Sequence, residues 1–203
     1  MIMTTSSRIK RLAIAVVAVA GLAVVPTASV AQSPSDEIRA LLEERDADIK
    51  RLLDSAGAED ERRSRLMNVV NGIIDFDAMG REALGTHWDG LTPTQRSEFV
   101  SVFSDIVRRQ SVADLDVYRS TVRYDKIAVS GSTALVETVT TYREADTPVV
   151  YEMHVSDGSW MITDIVLDEV STAEGYARSF QSLIRKRGFD TLMEKLREKR
   201  DAA

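Results

Sequence analysis

Thr133–Leu167 reads TALVETVTTYREADTPVVYEMHVSDGSWMITDIVL. Apolar and β-branched residues recur there at every second position, the period at which strand side chains alternate between faces. Ala145-Asp146-Thr147 and Asp157-Gly158 interrupt the run as turn signals. A further alternating stretch, STVRYDKIAV from Ser120 to Val129, precedes it across Ser130-Gly131. The pattern predicts four strands, STVRYDKIAV, TALVETVTTY, PVVYEMHV and SWMITDIVL. Connections this short join antiparallel neighbours, so the strands form a meander. In the last three strands, one face carries Ala134, Val136, Thr138, Thr140 and Tyr142, then Val149, Tyr151, Met153 and Val155, then Trp160, Ile162, Asp164 and Val166. Met161, Ile165 and Leu167 stand opposite, so both faces hold apolar residues. A twisted sheet wrapped by helices leaves room for a cavity on one side. An ordinary filled core fits the same pattern.

Helical periodicity flanks the strands. Ser33-Pro34 opens a helix with Asp36 and Glu37 in its first turn, and Ile38, Leu41, Leu42, Ile49, Leu52 and Leu53 keep helical spacing up to Gly57. A second helix runs through Leu66, Val69, Val70 and Ile73. Asp75 or Asp77 caps a short third helix that holds Met79 and closes near Gly85. Thr92-Pro93-Thr94-Gln95 is a capping box that starts a long helix reaching towards Leu115. After the strands come helices from Ser171 to Ile184 and from Phe189 to about Lys199. Nothing repeats, and no low-complexity linker intervenes. The expected fold is one α+β domain with helices at both ends of an antiparallel sheet.

The first residues follow a different logic. Arg8, Lys10 and Arg11 precede the apolar run Leu12–Val25, which is shorter than the roughly 20 residues of a membrane span. Pro26 ends that run, and ASVA places small residues before Gln32. This is the pattern of a secretory signal peptide cut after Ala31, leaving residues 32–203 as the mature domain, exported to the periplasm. The chain has no cysteine, so thiol nucleophiles, cysteine-bound zinc, iron–sulfur clusters and disulfide staples are excluded. Its formal net charge is −6, from 26 basic and 32 acidic residues. The first 31 residues carry three of the basic ones and no acid, leaving 23 against 32, a balance of −9. Such a surface is poorly suited to nucleic acid or to anionic membranes.

Catalytic signatures are sparse. The two histidines, His87 and His154, lie far apart, and there is no metal-binding HExxH, no GxSxG and no phosphate-binding glycine loop. We therefore expect no metal and no cofactor. Asp164, between Ile162 and Val166, is the one acid on an apolar strand face. It reads either as a base in a pocket or as a hydrogen-bonded cap. His87-Trp88, bracketed by Gly85 and Gly90, reads as a corner in which the indole anchors the short helix against the long one. Arg185-Lys186-Arg187 is a basic helix end that would suit phosphate or an acidic partner, or simply solvent.

FDAMGREALGTHWDGLTPTQRSEFVSVF, GSWMITDIVLDEVS and YARSFQSLIRKRGFDTLMEKL, in that order, resemble the MlaC family of periplasmic phospholipid-binding proteins, the toluene-tolerance auxiliary components of an ABC transporter. The resemblance covers essentially the whole mature chain. It implies a twisted antiparallel sheet and flanking helices around a deep apolar pocket, in a nuclear-transport-factor-2-like cone. It implies a carrier, not an enzyme, that moves phospholipid between an outer-membrane lipoprotein complex and an inner-membrane ABC transporter and maintains outer-membrane lipid asymmetry. Its lining would be branched or adaptable: Met79, Phe103, Val107, Val136, Tyr151, Met153, Ile162, Val166 and Phe180. One departure stands out. Gly175-Tyr176-Ala177 occurs where relatives often carry Asn-Tyr-Arg. The alternative is a cone-fold isomerase or dehydratase using Asp164 and a pocket tyrosine.

Overall fold

The computed structural model describes residues 33–202; the segment read as a signal peptide lies outside them. Helix α1 spans Pro34–Leu53, and Ser33 caps it by accepting a hydrogen bond from the Asp36 amide at 3.2 Å. α2 spans Glu59–Asn71. α3, Phe76–Leu84, is capped by Asp75, whose Oδ1 accepts from the Ala78 amide at 2.9 Å. α4, Pro93–Ser111, carries the expected capping box, with reciprocal bonds between Thr92 and Gln95. It stops four residues before Leu115, and a 3₁₀ turn at Asp116–Arg119 leads into the sheet.

The strands are β1 (Thr121–Ser130), β2 (Thr133–Tyr142), β3 (Ala145–Ser156), β4 (Ser159–Leu167) and a two-residue β5 (Val170–Ser171). They pair antiparallel in chain order, making a five-stranded meander with one strand more than the pattern predicted. α5 (Thr172–Arg187) and α6 (Phe189–Asp201) close the chain. The β2–β3 turn is Arg143-Glu144, whereas Ala145, Asp146 and Thr147 belong to β3 and pair with Tyr142, Thr141 and Thr140. Both turn residues have positive φ, 48° and 67°, as a two-residue hairpin of this hand requires. Asn-Gly would have announced the turn; Arg-Glu conceals it.

Two bulges bend the sheet. In β1, Tyr124 faces Thr138 and Lys126 faces Glu137, so Asp125 is the extra residue. In β4, Ile162 faces Met153 and Asp164 faces Glu152, so Thr163 is the extra one. An inserted residue reverses the parity of everything beyond it. Ile165 therefore joins Ile162 and Tyr151 on the helix-covered face, while Asp164 and Val166 turn to the other. At the β4 bulge the ladder is completed from outside the sheet: the Ile162 amide donates to the Ile73 carbonyl at 2.7 Å, and the Asp75 amide donates to the Ile162 carbonyl at 2.8 Å.

The core is divided. A large cluster joins the first half of α1 and α3–α6 to the sheet and includes Ile38, Leu42, Phe99, Phe103, Val136, Met153 and Phe180. A smaller one, Ile49, Leu53, Leu66 and Val112, ties the distal half of α1 to α2 and the end of α4. Trp88 is buried, with the guanidinium of Arg81 from α3 5.5 Å from its ring and that of Arg96 from α4 at 5.3 Å. Arg96 also donates from Nε to the Trp88 carbonyl at 3.0 Å. The tryptophan corner is thus an architectural clamp between α3 and α4. Gly85 makes it possible, since φ is 55° there and a Cβ would meet the Gln181 amide nitrogen at 2.6 Å.

Candidate functional site

A cavity of about 500 Å³ lies where the two parts of the core fail to meet. The sheet supplies Tyr124, Tyr151, Ile162 and Ile165; α1 supplies Leu42, Arg45 and Ile49; Val69, Val70, Ile73 and Ile74 come from α2 and the segment after it. Val107 of α4, Met79 of α3 and Tyr176 of α5 complete the wall. Two lining side chains are exposed hydrophobics: Val117 in the 3₁₀ turn is 42% exposed, and Leu167 at the end of β4 is 48% exposed. Large hydrophobic side chains left open beside a cavity mark its entrance.

Four of the chain's five tyrosines line this space: Tyr118, Tyr124, Tyr151 and Tyr176. The Tyr118 hydroxyl donates to the Ser111 carbonyl at 2.7 Å, and that of Tyr176 donates to Gln110 Oε1 at 2.7 Å. Burial pushes the Tyr118 hydroxyl up to about 12, with Tyr151 nearby adding to the shift. Burial likewise raises Tyr124, Tyr151 and Tyr176. All four stay neutral at physiological pH, so the wall offers aromatic surface and hydroxyl groups but no tyrosinate base.

The side chains chosen from the sequence separate into three groups. Met79, Val107, Tyr151 and Ile162 line the cavity. Val136 and Met153 point to the same face, paired across the strands with Tyr151 and Ile162, but are packed into the large core cluster. Phe103 and Phe180 also belong to that cluster, with ring centroids 6.0 Å apart, and border a separate crevice of about 190 Å³ between α4, α5 and α6. Val166 faces away from the cavity because of the Thr163 bulge, which periodicity alone does not reveal. The same bulge places Asp164 outside the cavity. Its Oδ1 accepts from the Ala173 amide at 2.9 Å and its Oδ2 takes the Ser171 hydroxyl, so it caps α5. The carboxylate of the pair envisaged for catalysis is thus spent on a helix start and does not share the cavity with the tyrosines.

The sequence reading missed the contribution of α1 and α2. A signal was present: Ile38, Leu42, Arg45, Ile49 and Leu53 form one helical stripe, and it includes a cation. His154 lies on the outer face, where its Nε2 is 2.7 Å from Asp75 Oδ2, tying the α3 cap to the sheet. Arg185, Lys186 and Arg187 are exposed in the last turn of α5 and do not line the cavity. Among the described residues, no group of three acidic or histidine side chains is placed to hold a metal ion, and no helix is long and apolar enough to cross a membrane.

An antiparallel meander backed by six helices, with an apolar chamber between them, defines an α+β fold of the ligand-enclosing kind. The chain belongs to the MlaC family: the family model described as MlaC protein matches residues 41–198. The solved structure of the phospholipid-binding protein from Ralstonia solanacearum, in complex with a phospholipid, has a similar fold, with a TM-score of 0.69 at 20% identity. The similarity covers 83% of this chain and 97% of that one. No curated protein matches the chain in sequence.

Proposed function

We propose that this protein is a periplasmic phospholipid carrier that encloses acyl chains in the cavity between the sheet, α1–α2 and α4. The observation that carries the reading is a largely apolar chamber, with exposed hydrophobic side chains among its lining, in a member of the MlaC family. The phospholipid held by the Ralstonia solanacearum protein of similar fold supports it. Two acyl chains hold about 30 methylenes, each worth about 0.8 kcal/mol on leaving water. A free phospholipid therefore does not cross an aqueous space at a useful rate, and a chamber of this kind removes that barrier. A bilayer offers the lipid a comparable gain, so the carrier equilibrates with membranes and takes its direction from its partners.

In this reading the first 31 residues export the chain to the periplasm. It exchanges lipid with an outer-membrane lipoprotein complex on one side and an inner-membrane ABC transporter on the other, maintaining outer-membrane lipid asymmetry. It performs no covalent chemistry and takes phospholipid as cargo, with no cofactor. The test is purification without detergent, followed by solvent extraction and mass spectrometry. Phospholipid should be recovered with the protein. Protein that emerges lipid-free, and takes up none from vesicles, would contradict the reading.

A further inference from the structure

Arg45 stands where the fold calls for an apolar residue. The α1 stripe that faces inward runs Ile38, Leu42, Arg45, Ile49, Leu53, and its four hydrophobic members are buried. Helical spacing of four, three, four and four residues puts all five on one face. The arginine thus projects into the cavity wall between Leu42 and Ile49. Its Nε is buried and has no hydrogen-bond partner among the described residues.

Nearby charges are engaged elsewhere. Asp46, the adjacent acid on the cavity wall, accepts from Lys50 Nζ at 2.7 Å. Arg39 lies against Glu43, Arg51 pairs with Asp48 and Arg65 with Glu61, while Arg63 donates to the Val112 carbonyl at 2.7 Å. Arg45 has no salt bridge among the described residues. A partly buried cation without a partner is costly, and buried polar groups are paired with few exceptions. An anion that enters the cavity would supply that partner. A guanidinium offers its donors as a rigid fork that fits two oxygens of a phosphate.

We infer that Arg45 binds the phosphodiester of the cargo, so that the head-group end of the lipid lies against α1 and the acyl chains run towards Met79 and Ile162. This rests on the carrier reading and adds to it a selection for phosphate-bearing lipids over neutral lipids with the same tails. The Asp46 carboxylate stays with Lys50 and does not compete for the guanidinium.

The test uses lipid-stripped protein and vesicles holding equal amounts of phosphatidylglycerol and diacylglycerol with identical acyl chains. Protein is recovered and its lipid quantified. Wild type should take up phosphatidylglycerol in preference to diacylglycerol by about tenfold, the worth of a charge-assisted hydrogen bond. Arg45→Gln should take up both alike, and Arg45→Lys should keep part of the preference. Thermal melts confirm that the variants fold, and the wild-type preference is informative without them. Wild type that loads both lipids equally would overturn the assignment of Arg45 and leave the carrier reading intact. Wild type that loads neither would remove the carrier reading itself. Excess inorganic phosphate should leave the preference unchanged; abolition of the preference would reassign Arg45 to free phosphate and overturn the lipid assignment.

Discussion

Thr163 decides more than any other residue which side chains meet the cavity. By sending β4 round a bulge, it puts Ile165 inside and Val166 outside, although strict alternation predicts the reverse. Ile165→Glu should therefore sharply reduce co-purified phospholipid, because a carboxylate facing hydrocarbon costs several kcal/mol unless it is protonated. Val166→Glu should leave the lipid load near that of wild type, with melting curves recorded on the same samples. Equal losses in the two variants would show that the bulge does not separate the faces. The sequence allowed the faces of β2 and β3 to be read, since no extra residue interrupts their pairing with each other. It did not distinguish a side chain lining a void from one packed against Phe99 or Phe103, because both environments select the same apolar types. For that reason Val136, Met153, Phe103 and Phe180 are expected in the lining, whereas they are packed in the core cluster.

The outer face of β3 and β4, where Glu152 is paired with Asp164, has its own electrostatics. Glu152 is held above the ordinary carboxylate range by burial first, then by Asp164 and Glu174. A raised folded-state pKa means that the folded chain holds a proton the unfolded chain releases. That contribution is complete below 4.5 and is lost as pH rises through the raised value. Glu152→Gln should therefore raise the melting temperature at pH 7 and lose this advantage towards pH 4. The group is largely exposed, so the gain should stay under about 1 kcal/mol and shrink with salt. An advantage that instead grows on acidification would reverse the sign of this argument.

Among the elements, the helices were the most legible. Ser33, Asp75, Thr92 and Ser171 each accept a bond from an amide near a helix start, and caps depend on local chemistry that a sequence displays. Turns were harder. Arg143-Glu144 and Asp168-Glu169 adopt positive φ at both positions without a glycine or asparagine to signal it. The register tolerates these residues because ten β2–β3 residue pairs fix the hairpin from both sides. Glu144→Gly should relieve about 1 kcal/mol of left-handed strain, moving the urea midpoint up with an unchanged m-value. A midpoint that stays or falls would mean that glycine's greater unfolded-state freedom outweighs the strain. The division of the core is also an element-scale fact. α1 and α2 were recognisable as amphipathic helices, but no local pattern says that α1 would pass from the main cluster at Leu42 to the smaller one at Ile49 and leave a chamber between.

For the whole molecule, composition and charge narrowed the possibilities: a cysteine-free chain has no thiol nucleophile or cysteine-bound metal, and its acidity suits nucleic acid poorly. The family resemblance then connected the strands to a cavity, and the structure relocated that cavity towards α1 and α2. The central claim is that acyl chains occupy this chamber and not the smaller crevice between α4, α5 and α6. The direct measurement is photolabelling. A phospholipid with a diazirine near the end of one acyl chain is loaded from vesicles, irradiated, and the modified residues are mapped by peptide mass spectrometry. The account predicts labels on Met79, Val107, Tyr151, Ile162 or Ile165. Labels confined to Phe180, Leu183, Leu192 or Leu196, which line the crevice, would contradict it.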